Sequence, residues 1–454
     1  MKRGTSVLIV LCAHSLAAGA ARGQSLSERV GQELPAIVDI YKAIHIAPEL
    51  SHYEEKTAAL VAKELKAVGC EVFTGIGKYT NSDWKGHGVA GVLKNGDGPV
   101  VLIRAELDAL PITEQTGLPY ASKVQVTTDR GIKTGVMHAC GHDLHLAAMI
   151  GTARLIAAQK DGWRGTVIFI GQPAEETLDG VKAMLADGLF TKVPRPKYCL
   201  ALHCAPDLAA GEVAINSGWA LASVQVLEIT VRGKGSHGSR PHEGKDPIVV
   251  AAQIILALQT IVSRETSALE PAVVTVGAIQ GGTKANVIPE EVKLLVSVRA
   301  LDEKVRDRSV QAVERICKGI AQAAGIPEDL VPIIRPSDDE KVGGTYNDPA
   351  LSERPLALFA RELGADKIIA TKPRMAGDDF AHFGHVDGKV IPSVLFRLGT
   401  VDPQKVEESR RTDTSLIPVH NPRYAPIPSI TLRTGMRTMT SAVLDLLNPE
   451  KPGK

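Results

Sequence analysis

The segment "GVMHACGHDLH", residues 135–145, brings together His138, Cys140, His142, Asp143 and His145. Three readings suit such residue types. Imidazole and thiolate bind borderline-soft divalent metals. A thiol beside an imidazole can serve as a nucleophile with its base. Histidines can also be hydrogen-bonded core residues. Gly141 disfavours helix, so the sequence predicts extended backbone at Cys140 and His142. Side chains two apart on extended chain point the same way, and these two can then face one metal. His145 falls one turn into the helix that follows, and His138 lies a further two residues back.

A second segment, "GQPAEE", sets Glu175 beside Glu176 after an apolar run. Adjacent carboxylates repel, so such a pair at a strand end calls for a cation or a shared proton. With a metal present, one glutamate can bind it while the other deprotonates water. A solvated acidic loop is the alternative. Asp108 follows "VVLIRAEL" and His203 ends "YCLAL". Each of these groups is expected just past the C-terminal end of a strand, the edge at which open α/β sheets bind ligands. A cysteine protease built on Cys140 would leave Glu175, Glu176, His203 and Asp108 without a task. Two metal ions sharing the thiolate would use them. Zn²⁺, Mn²⁺, Co²⁺ and Ni²⁺ all suit the donors, and the thiolate favours Zn²⁺.

The elements that must position these groups follow from periodicity. Residues 26–68 read as mostly helical, with a break near Pro48. "TAALVAKELKAVGC" reads as an amphipathic helix closed by Gly69. "GPVVLIRAELDALPI", "GTVIFIGQPAEE" and "KYCLALHC" each begin as buried strands, and "DLHLAAMIGTARLIAAQK" is a helix. This alternation predicts an α/β domain with a mostly parallel sheet. From about Trp219 the pattern becomes a smaller α+β unit of order βαββα, and the earlier alternation resumes at about Asp338. The expected division is 1–23 signal peptide, 24–217 first part of the catalytic domain, 218–336 lid or dimerisation domain, and 337–454 second part of the catalytic domain.

The chain has 454 residues and a net charge of +1. That length supports two or three domains, and that charge offers no footprint for nucleic acid or an anionic membrane. Lys2 and Arg3, an apolar run and then small residues match a secretory signal peptide ending near Ala20 or Gly23. The protein is therefore expected to be exported, periplasmic or secreted. No later apolar run reaches the length of about 18 residues a membrane helix needs. Beyond Cys12, the five cysteines are an odd number, so at least one thiol is unpaired or otherwise engaged.

Taken in order, "RAELDALPI", "GVMHACGHDLHLAAMIG", "GQPAEE", "ALH", "ITVRGKGSHGSRPHEGKDPI", "GGTKANVIPE", "AGDDFAHF" and "VHNP" resemble the M20 metallopeptidase family. They are nearest its amidohydrolase branch of hippurate hydrolase, N-acyl-amino-acid amidohydrolases and plant indole-acetyl-amino-acid hydrolases. The resemblance implies a zinc-peptidase-like catalytic domain interrupted by a lid, and a homodimer or higher homo-oligomer formed through that lid. It implies two divalent metal ions held by Cys140, His142, Glu176, His203 and His420. It also implies Glu175 as general base and Asp108 as the carboxylate orienting a ligand histidine. His237 would stabilise the oxyanion, and Asn286 and Arg299 would contact substrate.

The implied reaction is Glu-assisted attack of a metal-bridging water on a small-molecule amide. Candidate substrates are N-acyl amino acids or aromatic conjugates such as hippurate, auxin conjugates or ochratoxin. A dipeptidase or carboxypeptidase of the same superfamily, and an inactive binding or scaffold protein, are the alternatives. The sequence departs from the family pattern at Glu106 (usually Asp), Asp378 (usually Glu) and Cys204 (usually apolar). It also lacks acidic residues soon after His420.

Overall fold

The computed structural model describes residues 24–129 and 131–448. The proposed signal segment, residues 1–23, lies outside them. Ser25 caps the first helix, α1 (Leu26–Ile46), with its Oγ accepting the Glu28 N–H while the Glu28 carboxylate accepts the Ser25 N–H. This reciprocal pair satisfies donors that a helix start otherwise leaves open. Helix α2 (Glu55–Ala67) ends just before Gly69, whose φ of 87° turns the chain. The expected break between them falls at residues 47–54.

Seven strands form the main sheet: β1 (Glu71–Ile76), β2 (Gly88–Asn95), β3 (Val100–Glu106), β4 (Gly165–Gln172), β5 (Tyr198–Ala209), β6 (Val213–Ala214) and, far along the chain, β11 (Ser393–Val401). Their order is β1-β2-β4-β3-β5-β11-β6. The centre, β4-β3-β5-β11, is parallel, and antiparallel pairings flank it on both sides. A central parallel strand is buried on both faces and therefore reads as a continuous apolar run. In β3, Val101 and Ile103 join one core while Leu102 joins the other. Helix α3 (His142–Ala157) packs with α1 and the last helix, α6 (Pro428–Leu447), over one face of the sheet. Residues from Val181, Met184, Phe380 and Phe383 cover the opposite face. The result is a three-layer α/β unit.

A second, four-stranded antiparallel sheet lies between β6 and β11 in sequence. It contains β7 (Ser223–Arg232), β8 (Ala272–Gly281), β9 (Glu291–Ala300) and β10 (Ile333–Val342), in the order β8-β9-β7-β10. Helices α4 (Pro247–Thr260) and α5 (Glu303–Ala323) cover one face around Leu227, Ile254, Val296 and Val313. The expected βαββα unit is present, with one strand more. Residue 336 falls inside β10, which pairs Leu227 with Pro336 and Val224 with Val342. The charged run "PSDDEK", residues 336–341, lies in a largely exposed edge strand, where charge discourages pairing with other chains. The stretch Pro247–Glu265 is 19 residues long and apolar enough to span a membrane by composition, with 33% buried. That differs from the sequence expectation. Its inner face, including Val250, Ile254 and Leu258, packs on the second sheet, while Val249 and Leu256 are exposed.

Gly399 marks the tightest point of the main sheet. A Cβ there would lie 1.9 Å from the Ala209 carbonyl oxygen and 3.1 Å from that of Glu212. Neither atom can rotate away, because both belong to backbone. Gly399→Ala is therefore expected to destabilise by about 1–3 kcal/mol, as overpacked sites do. The check is a lowered midpoint in urea at unchanged slope; an unmoved midpoint would mean the sheet edge yields freely.

Candidate metal centre

β3, β4 and β5 run parallel, and the segments just past β3 and β4 carry Asp108, Glu175 and Glu176 to the side where β5 presents His203. His203 lies within β5, opposite Arg397 of β11, rather than past the strand end. Cys140 and His142 also meet there, but not through extended backbone. Gly141, at φ 85°, is the N-cap of α3, and a Cβ on it would lie 2.7 Å from the Cys204 Sγ. A left-handed turn that favours glycine thus brings the two side chains together.

Donor atoms of Cys140, His142 and His203 lie within 4.8 Å of one another, as do those of Cys140, Glu176 and His420, and those of His142, Glu175 and Glu176. The first two triads share the thiol. His203 Nε2 stands 3.5 Å from the Cys140 Sγ, and His420 Nε2 stands 3.4 Å from a Glu176 oxygen. His142 Nδ1 donates to the Asp108 carbonyl at 2.9 Å and lies 3.3 Å from its carboxylate. This directs Nε2 inward, where it has no hydrogen-bond partner; the buried Glu176 Oε1 has none either. Orphaned buried donors and acceptors are rare in folded proteins. Atoms that converge without bonding one another fit a cation held between them.

Backbone strain fixes the glutamate pair. Ala174 and Leu178, on either side, have φ values of 52° and 62°. Such values are costly for residues with a Cβ and persist where surrounding contacts impose them. The Ala174 N–H donates to Glu54 at 2.7 Å, and the Glu176 N–H donates to Asp108 at 3.0 Å. His420 has a φ of 60°, and its N–H donates to the Ala139 carbonyl at 2.8 Å.

The electrostatics agree with the packing. Burial, with Asp378 and Glu176 nearby, pushes the Glu175 carboxyl well above its usual range. Burial raises Glu176 to about 7. Burial and both glutamates raise the Cys140 thiol. Burial opposes charge on His142, but Glu106 and Asp108 outweigh it and bring that imidazole to about 10. Without a cation, this cluster holds protons.

Several groups beneath the cluster escaped the sequence reading. Arg104, in an otherwise apolar strand, is fully buried and donates to Gln172, Glu106, Asp378 and Asp379. The usable signal was a single arginine within "VVLIRAE". Glu106 and Asp378, two departures from the family pattern, meet on this one guanidinium. The five cysteines among the described residues are unpaired and buried.

Of the residues expected in the lid, Arg299 lies in β9, while His237 and Asn286 sit at a separate two-stranded ribbon. His237 pairs with Val287 on a short ribbon, is exposed, and accepts through Nδ1 from the Ser239 N–H and hydroxyl. The Asn286 carbonyl accepts the Gly238 N–H at 2.9 Å on the same ribbon. Arg299 donates to the Met375 carbonyl at 3.0 Å, three residues before Asp378.

Residues 102–417 match the peptidase family M20/M25/M40. The chain belongs to this family. It is 38% identical to hippurate hydrolase of Campylobacter jejuni over 364 residues, covering 77% of this chain and 87% of the relative. It is 35% identical to the N-acetyl-L-cysteine deacetylase of Bacillus subtilis over 356 residues, covering 78% of each. Among solved structures, the Bacillus subtilis YXEP protein, a dinuclear metal-binding peptidase of the M20 family, superposes with a TM-score of 0.70 at 28% identity. The match covers 92% of this chain and 99% of that one. The chain is a metal-dependent amide hydrolase.

Because ligands must be deprotonated to bind, metal uptake by this M20 chain should release protons and strengthen as pH rises. Glu176, at about 7 in the free protein, is protonated below neutrality and ionised above it. Calorimetry of Mn²⁺ or Zn²⁺ binding in buffers of different ionisation heat is expected to show more protons released at about pH 6 than at about pH 8. Equal release at both would contradict the electrostatics described above.

Proposed function

We propose that this enzyme hydrolyses the amide bond of N-acyl amino acids or aromatic amide conjugates, giving a carboxylic acid and a free amino acid. The observation that carries this reading is the convergence of Cys140, His142, Glu176, His203 and His420 beside a buried Glu175. The named activities of the hippurate and N-acetylcysteine relatives support the substrate class. Those five side chains would hold two divalent ions, with zinc favoured by the thiolate. Bound there, the ions supply Lewis acidity to the acyl oxygen and acidify the attacking water.

The chain's own part centres on Glu175. Its carboxylate takes a proton from the attacking water as the new C–O bond forms. It returns that proton to the leaving nitrogen as the C–N bond breaks, so the base is regenerated. Burial keeps Glu175 basic enough for the first transfer. Asp108 fixes the His142 ring, and the strained loop around Ala174 and Leu178 fixes Glu175 itself. His237 supports the developing oxyanion, Asn286 contacts substrate on the same ribbon, and Arg299 receives the substrate carboxylate. We also assign the enzyme to the periplasm or exterior from its N-terminal layout. A homodimer forms through the second sheet, where the edge strand β8 and the exposed Val249 and Leu256 of α4 offer a face.

The test is Glu175→Gln assayed on N-acetyl and N-benzoyl amino acids, with metal content measured on the same sample. Turnover is expected to fall by about 10²–10⁴-fold, the usual range for a positioned base, with metal retained. A variant that keeps its turnover would remove Glu175 from the reaction. A folded, metal-supplemented wild type that binds no metal would remove the reading altogether.

A further inference from the structure

His145 stands among the ligand candidates, since its donor atoms lie within 4.8 Å of those of Glu106 and His142. Its ring centroid is 5.5 Å from that of His142 and 5.0 Å from that of His203. Both ring nitrogens are nevertheless engaged. The Cys204 N–H donates to Nε2 at 2.8 Å, so Nε2 carries the lone pair. Nδ1 therefore carries the proton and donates it to a Glu106 oxygen at 2.8 Å. The other Glu106 oxygen accepts from Arg104. No lone pair is left for a metal.

The peptide held in this way is the one that leads out of His203. The Cys204 N–H is tied to His145, and the Cys204 carbonyl accepts from His203 Nδ1 at 2.9 Å. That second bond fixes the His203 tautomer and leaves its Nε2 lone pair facing Cys140. We propose that His145 is a positioning residue, not a metal ligand. It is the link of a buried strut, Arg104–Glu106–His145–Cys204, that sets the orientation and tautomer of His203. This assignment rests on the metal-site reading above and names what holds one of its ligands.

The ring suits the task where an aliphatic group of similar size does not, because it offers one donor and one acceptor on opposite edges. Glutamine can reproduce that pairing and leucine cannot. The first measurement is a long-range ¹H–¹⁵N correlation on histidine-labelled wild type, metal-free and zinc-loaded. His145 is expected to show Nδ1–H in both states, while the ring nitrogens of His142 and His203 shift on loading. A zinc-induced shift at His145 as large as theirs, or an Nε2–H tautomer, would overturn the proposal.

The second measurement is zinc affinity by calorimetry on His145→Leu and His145→Gln, with a melting curve for each. His145→Leu is expected to lose about 10–100-fold in affinity, the usual cost of removing a group that orients a ligand. His145→Gln should recover most of that loss. Wild-type affinity in His145→Leu, or no recovery in His145→Gln at an equal melting temperature, would sink the strut. If His145→Leu does not fold, the spectroscopic result on wild type still decides. Failure of wild type to bind zinc would instead count against the metal-site reading, and the metal-free tautomer would still judge the strut.

Discussion

Burial of negative charge is the constraint around which this molecule is arranged. Glu106, Asp108, Glu175, Asp378 and Asp379 are all nearly or fully buried at one edge of the main sheet. An isolated carboxylate in such surroundings is costly unless it is paired or neutralised. Arg104 answers this on the lower side. Its five N–H donors are spread over one carboxamide and three carboxylates, and the planar guanidinium suits that geometry where a lysine would not. On the upper side, Glu175 and Glu176 face the His142 imidazole at 3.8 and 3.9 Å rather than a guanidinium, and burial keeps protons on them and on the Cys140 thiol until a metal replaces those protons.

This division explains why some acids serve structure and others chemistry. Glu106 is drawn well below the usual carboxylate range: burial opposes its charge, but Arg104 and His145 prevail. It is an anchored anion. Glu175 is raised instead and stays close to proton exchange. Both are buried and only a few residues past or within neighbouring strands. Their difference comes from which cation each one faces, the pattern by which one site keeps an acid and a base apart.

The backbone contributes a second layer of control. The cluster is assembled from loops in left-handed backbone: Gly141 before α3, where glycine adopts it freely, and Ala174, Leu178 and His420, where a Cβ makes it costly. Gly141 packs on Cys204, the Ala174 N–H bonds to Glu54 and the His420 N–H bonds to the Ala139 carbonyl, each a contact from another part of the chain. Regular elements deliver the loops to the same edge, and the loops place the donor atoms. Changes in the helices or sheet would therefore reach the site through these few contacts.

Much of this was legible in the sequence because it is local. Apolar runs bounded by glycine and proline announced the parallel strands, and the helical stretch after "HACGHD" followed from its composition and length. The residue types of Cys140, His142, Glu175, Glu176 and His203 announced metal chemistry. What the sequence could not supply was any relation between distant residues. The pairing of Arg104 with Asp378 spans 274 positions, and the bond from Cys204 to His145 spans 59. Neither has a local periodicity to reveal it. For the same reason the extended geometry expected at Cys140 and His142 gave way to a turn, since the packing of Cys204 against Gly141 leaves no room for a side chain. Residue identity determined which chemistry was available. Only the tertiary structure decided which of those residues face a common point and which are held in reserve beneath it, because burial and charge pairing depend on neighbours far away in the chain.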